Sequence, residues 1–251
     1  MVGRNKDKRL LPLVAVAIFT MAALSGCLGE DDADSIESTA PRAVLEVDRE
    51  SRFAGEPFTF DAQSSSDPNG NITKWVFDFG DGETFETEDV DEARVKHRYD
   101  AGGVYSVTLT VFDDATDQEG PLNTTTERTV IVDRRIDIGP AMVAAAPTNS
   151  SATARSERAF EANETAERYE LDLLVENAMA LGDSKMTVRV VDDNGTVLFE
   201  ELVEVGQGEN VTVESAEALT GEGTFVLELI AESGASRATG ELRIYHGTGS
   251  E

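Results

Sequence analysis

One cysteine and two histidines are all that 251 residues offer of the side chains that build redox and transition-metal sites. A single thiol, Cys27, excludes an internal disulfide and a CxxC site. His97 and His246 stand far apart without HExxH spacing, which excludes a histidine-based zinc centre. The chain has no G-x-S-x-G elbow, no Gly-rich phosphate loop and no carboxylate pair set apart for glycoside hydrolysis. The reading is of a protein that is not an enzyme and needs no cofactor. Aromatic residues make up only 6% of the chain, few for a dedicated sugar-stacking platform. Phe85, Tyr99 and Phe112 are the ones expected in exposed positions. Basic residues are scarce as well, 21 Lys+Arg against 49 Asp+Glu, for a net charge of −28. A surface of that sign repels nucleic acid, so nucleic-acid partners are excluded.

Long apolar runs are absent after residue 28. The one that exists follows a basic start (Arg4, Lys6, Lys8, Arg9) and runs without charge from Leu10 to Leu28. This is the layout of a secretory signal peptide. Leu24-Ser25-Gly26-Cys27 at its end resembles the lipobox of prokaryotic lipoproteins, which implies a signal peptide over 1–26 and a lipid on Cys27. The other reading keeps Leu10–Leu28 as a single membrane span. Either way the rest faces outward. Removing residues 1–26 leaves 17 Lys+Arg, with lysines only at 74, 96 and 185, against 48 Asp+Glu. Acid-rich, lysine-poor composition resembles that of salt-adapted organisms, and the expected source is archaeal.

Residues 28–41 are acidic and small, an expected linker. From Ala43 to Asp133 short strands alternate with turn signals. Trp75, Phe77 and Phe79 share one face while Val76 and Asp78 take the other; Tyr105, Val107, Leu109 and Val111 repeat the period of two. About seven strands without helical periodicity predict an antiparallel β-sandwich. Gly55–Gly82, with Phe77-Asp78-Phe79-Gly80-Asp81-Gly82 at its heart, His97-x-Tyr99 and Gly102–Asp114 resemble the polycystic kidney disease (PKD) domain. That family usually shows tryptophan where Phe77 stands; here Trp75 lies two residues earlier on the same face. The resemblance implies an immunoglobulin-like sandwich over 42–133, contacts with proteins or carbohydrates, and no catalysis.

Residues 134–165 read as a linker with a first strand at Ile138–Ala144, or as a short apolar helix bracketed by Pro140 and Pro147. From 166 to 247 strand patterning resumes. Tyr169, Leu171, Leu173 and Val175 alternate with polar or outward residues, and Asp192-Asp193-Asn194-Gly195 signals a type I′ hairpin. A second, jelly-roll-like β-sandwich is expected.

Asn71, Asn123, Asn149, Asn163, Asn194 and Asn210, six of nine asparagines, open N-x-S/T triplets and are candidate glycosylation sites. Asp67, Asp78, Asp81, Asp113 and Asp114 are a candidate Ca²⁺ set, since hard carboxylate oxygens on loops suit that ion. The competing reading has these acids fixing turns by accepting backbone N–H bonds. His97 reads as structural, and His246 as a residue of the frayed end with no role. The function expected is a cell-surface, lipid-anchored binding or adhesion protein that contacts extracellular protein or polysaccharide. The alternative is a structural envelope lipoprotein or an accessory subunit of a transport or secretion system.

Overall fold

The computed structural model describes residues 39–115, 120–145, 154–219 and 221–249. The signal segment, Cys27 and Asn149 lie outside them. Described residues are all-β apart from one 3-10 turn, Val90–Glu92.

The first sandwich sets β1 (Glu46–Val47), β3 (Pro57–Asp61) and β6 (Arg94–Arg98) against β4 (Ile72–Asp78), β5 (Thr84–Thr87), β7 (Gly103–Asp113) and the first half of β8 (Asn123–Ala144). β2 (Ser51–Phe53) adds to β8 in parallel. The face shared by Trp75, Phe77 and Phe79 is buried, as are Val107, Leu109 and Val111, because a period of two puts every second side chain against the opposing sheet. Phe58, Phe60 and Tyr99 fill the space between. Tyr99, expected exposed, is 1% exposed. Its ring packs edge-on against Phe58 and its hydroxyl donates to Phe79 O at 2.9 Å.

The second sandwich has its own core, built around Tyr169, Leu171, Leu173, Met186, Val188 and Leu227. One sheet runs β8-β15-β10-β13, with β15 Ala235–His246, β10 Ala166–Asn177 and β13 Asn210–Ala218. The other runs β9-β14-β11-β12, with β9 Arg155–Ala162, β14 Gly223–Ser233, β11 Ser184–Val191 and β12 Val197–Val205. Consecutive strands change sheet at every step except the β11–β12 hairpin. That order is the doubled Greek key of a jelly roll.

Two local expectations are corrected. Gly195 N–H donates to Asp192 O at 3.0 Å, so Asp193 and Asn194 are the central turn residues and Gly195, at φ 82°, follows them. This is a three-residue loop with a glycine bulge rather than a type I′ turn. The stretch 134–165 is not mainly linker. β8 runs unbroken from Asn123 to Ala144, and β9 starts at Arg155. Pro140, which suggested a helix bracket, sits where the β15 register slips between Ala238 and Gly240. A bulge on an edge strand tolerates a residue without an N–H.

Candidate functional site

β8 carries the chain from one sandwich into the other without a loop. Its residues Asn123–Val132 pair with β7, and Arg134–Ala144 pair with β15 on the opposite edge. The two cores therefore share a strand, and Asp133 marks the crossover.

Around Asp133 a directed chain of hydrogen bonds closes the junction. Asn163, between β9 and β10, donates from Nδ2 to Gly102 O of the first sandwich at 3.0 Å. Its Oδ1 accepts from Thr165 N–H at 3.2 Å and from Thr165 Oγ1 at 2.9 Å. A hydroxyl has one proton, and Thr165 gives it to an oxygen that only accepts. The 3.0 Å contact between Thr165 Oγ1 and His246 Nδ1 must then be donated by the imidazole. His246 is the Nδ1–H tautomer, and its Nε2 is a bare acceptor, buried without a partner among the described residues. The His246 backbone N–H donates to Asp133 Oδ1 at 3.0 Å. On the outer face Phe53 meets Tyr245 at 6.4 Å, with the Arg135 guanidinium 4.2 Å over Phe53. His246 is thus 8% exposed and structural, which corrects its reading as a frayed end.

Burial is the main cause that pushes the His246 imidazole below its ordinary value, and the Arg134 charge adds to it. A base whose folded value is depressed keeps its full contribution above the unfolded value and loses it as pH falls. Burial raises the Asp133 carboxyl, over the opposing effects of the His246 N–H and Arg168, so its ionisation works the other way. The part due to His246 should appear as melting temperature falling from about pH 6.5 downward. A His246→Gln variant measured over the same range should lack that component; identical profiles would exclude His246 as its source.

Beside this chain opens a cleft of about 690 Å³, bordered by Asp100, Gly102, Arg134, Glu161, Glu222 and His246. Both sandwiches contribute to it.

The sequence-derived candidates fall elsewhere. Asp67 and Asp114 approach each other across Gly70, where an added Cβ would meet Asp114 Oδ1 at 2.3 Å and Asp67 Oδ2 at 3.0 Å. Asp113, 1% exposed, accepts from Ala115 and Leu122 N–H through Oδ1, while its Oδ2 has no partner among the described residues. Asp78 and Asp81 lie at the far end of β4, about 20 Å away along seven residues. The set of five is therefore not one site. Asp78 accepts from Gly80 N–H at 2.9 Å. Asp81 accepts from Glu83 N–H at 3.0 Å and contacts His97 Nε2 at 2.7 Å. Burial opposes its ionisation, but these two partners outweigh it and hold the carboxyl low. The His97 ring stacks on Phe79 at 4.0 Å, so it braces the hexapeptide turn. Among the described residues no group of three or more His, Cys, Asp or Glu is arranged to hold a metal. With a net charge of −28, raising monovalent salt should stabilise the fold broadly. Melting curves in Na⁺, Mg²⁺ and Ca²⁺ at matched ionic strength should nearly coincide. A Ca²⁺-specific rise abolished by Asp113→Asn or Asp78→Asn would reverse that expectation.

Of the sequons, Asn123 and Asn210 are exposed, with amides that bond no side chain or backbone group among the described residues. Asn71 donates to Asp114 Oδ2 at 2.9 Å and Asn194 to Asp193 Oδ1 at 2.8 Å. A glycan on Asn163 Nδ2 would displace the bond to Gly102.

The family model described as PKD domain matches residues 38–130, which form a PKD domain. A microbial collagenase of Vibrio alginolyticus is 37% identical over 97 residues, 39% of this chain and 11% of that protein. Collagenase ColA of Clostridium perfringens is 37% identical over 93 residues, 37% of this chain and 8% of that protein. The chain thus spans about a tenth of the length of the curated relatives it matches. Among solved structures, the PKD1 domain of the Vibrio cholerae metalloprotease PrtV is 34% identical, covering 38% of this chain and 98% of that one, with a TM-score of 0.29.

Proposed function

We propose that this chain, with its PKD domain and jelly roll, is a cell-surface binding protein, lipid-anchored through Cys27, that contacts extracellular protein or polysaccharide. The observation that carries the reading is the junction. Two sandwiches with separate cores are held at one angle by an uninterrupted strand and a directed hydrogen-bond chain, and a solvent-open cleft is built from both. Such a cleft needs both domains in fixed register, which a string of independent spacer modules does not. The acid-rich surface fits a salt-adapted, archaeal host, and the exposed sequons at Asn123 and Asn210 suit a glycoprotein. Relatives that share the PKD segment are collagenases, where it is a small part of a longer chain, so their activity is not carried over.

The test is retention of the full-length chain on isolated envelope fractions of its own source. Saturable retention on extracellular polysaccharide or surface protein is the expected result. Exclusive recovery with components of a transport or secretion machine would favour the accessory-subunit reading instead.

A further inference from the structure

We propose that the end of the jelly roll farthest from the PKD domain is a self-association surface, through which two copies of this chain meet end to end. This contact is separate from the cleft and rests on the surface-anchored binding reading above.

Four segments build that end: 139–145 at the close of β8, 177–182 between β10 and β11, 205–208 after β12, and 233–236 between β14 and β15. Ala145 N–H donates to Gly234 O at 3.0 Å and Ala178 N–H to Ala235 O at 2.9 Å, which ties three of them together. Asn177 Nδ2 donates to Val205 O at 2.9 Å and adds the fourth. The four hold 21 residues and no charge, in a chain where 28% of residues are charged. Apolar side chains stand outward there: Leu181 is 77% exposed, Met179 38% and Met142 37%. The loop that carries Leu181 and Met179 is braced. Met179 N–H donates to Asn177 Oδ1 at 2.7 Å, Asn177 Nδ2 also donates to Gly182 O at 2.9 Å, and Gln207 Nε2 donates to Ala180 O at 2.6 Å. A loop fixed in this way has little ordering left to lose on contact. Asp183, Glu209, Glu232 and Arg237 flank the segments, giving the apolar centre and polar rim of a protein interface.

Charge selects the occupant. At a net charge of −28 the rest of the surface repels another copy. Repulsion is least when two molecules meet by their uncharged ends with the acidic bodies pointing apart, so that the same patch meets itself about a two-fold axis. Methionine suits such a contact because its flexible thioether adapts to an identical neighbour. Position agrees with this. β8 starts beside Phe112, at the pole where Thr39 N–H bonds Asn69 Oδ1 and the chain leads back toward Cys27. It ends at the tip after 22 residues, about 70 Å along the strand. The tip therefore points away from an anchoring membrane, where a copy on a facing cell would stand in the opposite sense. A bilayer is the competing occupant. Segments that enter bilayers carry aromatic and basic anchors, and residues 177–182 have neither.

The experiment uses the mature chain, 27–251, with Cys27→Ser. It holds three methionines, Met142 and Met179 at the tip and Met186 in the core. Its ¹³C-methyl methionine spectrum is recorded from about 10 μM to about 1 mM, with sedimentation equilibrium alongside. The Met142 and Met179 signals are expected to shift toward a dimer with a Kd of about 0.1–1 mM, while Met186 stays fixed. That weakness suits a patch well below the ~800 Å² per partner of a stable complex. Raising NaCl should tighten association severalfold by screening the acidic bodies. Leu181→Lys should weaken it at least about tenfold with the melting temperature kept, because an ammonium would be desolvated in the contact. Val197→Lys, at an exposed residue on the other end of β12, should associate as the native side chain does. Signals that ignore concentration, or equal association of Leu181→Lys, would overturn the proposal. Tip signals that move only when uncharged bicelles or an envelope protein extract is added would overturn it too, by assigning the tip to lipid or to another protein. If the mature chain stays monomeric while the native chain is retained on envelope fractions, the tip fails and the binding reading stands. If it is monomeric and retained by nothing, both fail.

Discussion

Replacing Gly240 with alanine should unfold the second sandwich under conditions where the native chain is folded. Gly240 lies in β15, the strand that pairs with both β8 and β10. A Cβ there would meet Asp172 O at 2.0 Å and Leu173 Cα at 2.9 Å. Both obstacles are backbone of the neighbouring strand, so no rotamer change relieves them. Opening the β10–β15 ladder would break the pairing opposite Leu173, a core residue 0% exposed. The cost should reach at least about 3 kcal/mol, the upper end of overpacking penalties. In a domain of this size that lowers the melting temperature by roughly 10–20 °C. Gly139→Ala is the control. A Cβ at Gly139 meets nothing within 4 Å and its φ is not left-handed, so alanine should be neutral or stabilise by about 0.5 kcal/mol. Trp75, the one tryptophan, reports on the first sandwich alone and should keep its buried emission at temperatures where Gly240→Ala has lost the second. Equal melting of the two glycine variants would show that the close approach at Gly240 yields without cost.

Cys27→Ser should move the protein out of the membrane fraction. Lipid attachment contributes about 0.8 kcal/mol per buried CH₂, so two long chains hold a protein at the bilayer where one gives only marginal binding. Without the thiol no such chain can be attached, and partitioning should switch from almost wholly membrane-bound to soluble or unprocessed. Fractionation followed by mass determination of the N-terminus checks this. A processed Cys27→Ser chain that stays with the membrane would contradict the anchor, and an unprocessed one that stays would assign anchoring to Leu10–Leu28.

The fold was most legible where alternation was strict. Trp75, Phe77 and Phe79, or Tyr169, Leu171, Leu173 and Val175, announce a buried face because neighbours in sequence carry the pattern. β8 was harder, since Gly139-Pro140 imitates a break and only the register slip opposite Thr239 shows why the strand survives it. β9 leaves little trace in the sequence because Arg155–Ala162 buries only Phe160 and Ala162. Glu228 interrupts the apolar run Phe225–Ala231 of β14 and is 4% exposed, a burial made tolerable by Arg155 and Arg189 on the flanking strands. The junction was the least legible part. His246 depends on Gly102, Asn163 and Thr165, residues far apart in the chain, and long-range hydrogen bonding leaves no periodic trace. Asn163-Glu164-Thr165 drew attention only as a sequon. That same spacing lets Thr165 cap Asn163 Oδ1, the step that fixes the imidazole.

The two sandwiches form one body through β8 and the His246 chain. Spin labels at Glu86→Cys and Leu202→Cys, in the full chain with Cys27→Ser, test this directly. Both positions are exposed, one in β5 of the PKD domain and the other in β12 of the jelly roll. A single narrow distance distribution is expected, and it should broaden little when Asn163→Ala removes the bond to Gly102 and the two from Thr165 and leaves β8 intact. A broad or multiple distribution in the chain with native Asn163 would mean that the sandwiches move independently and that no fixed cleft exists between them.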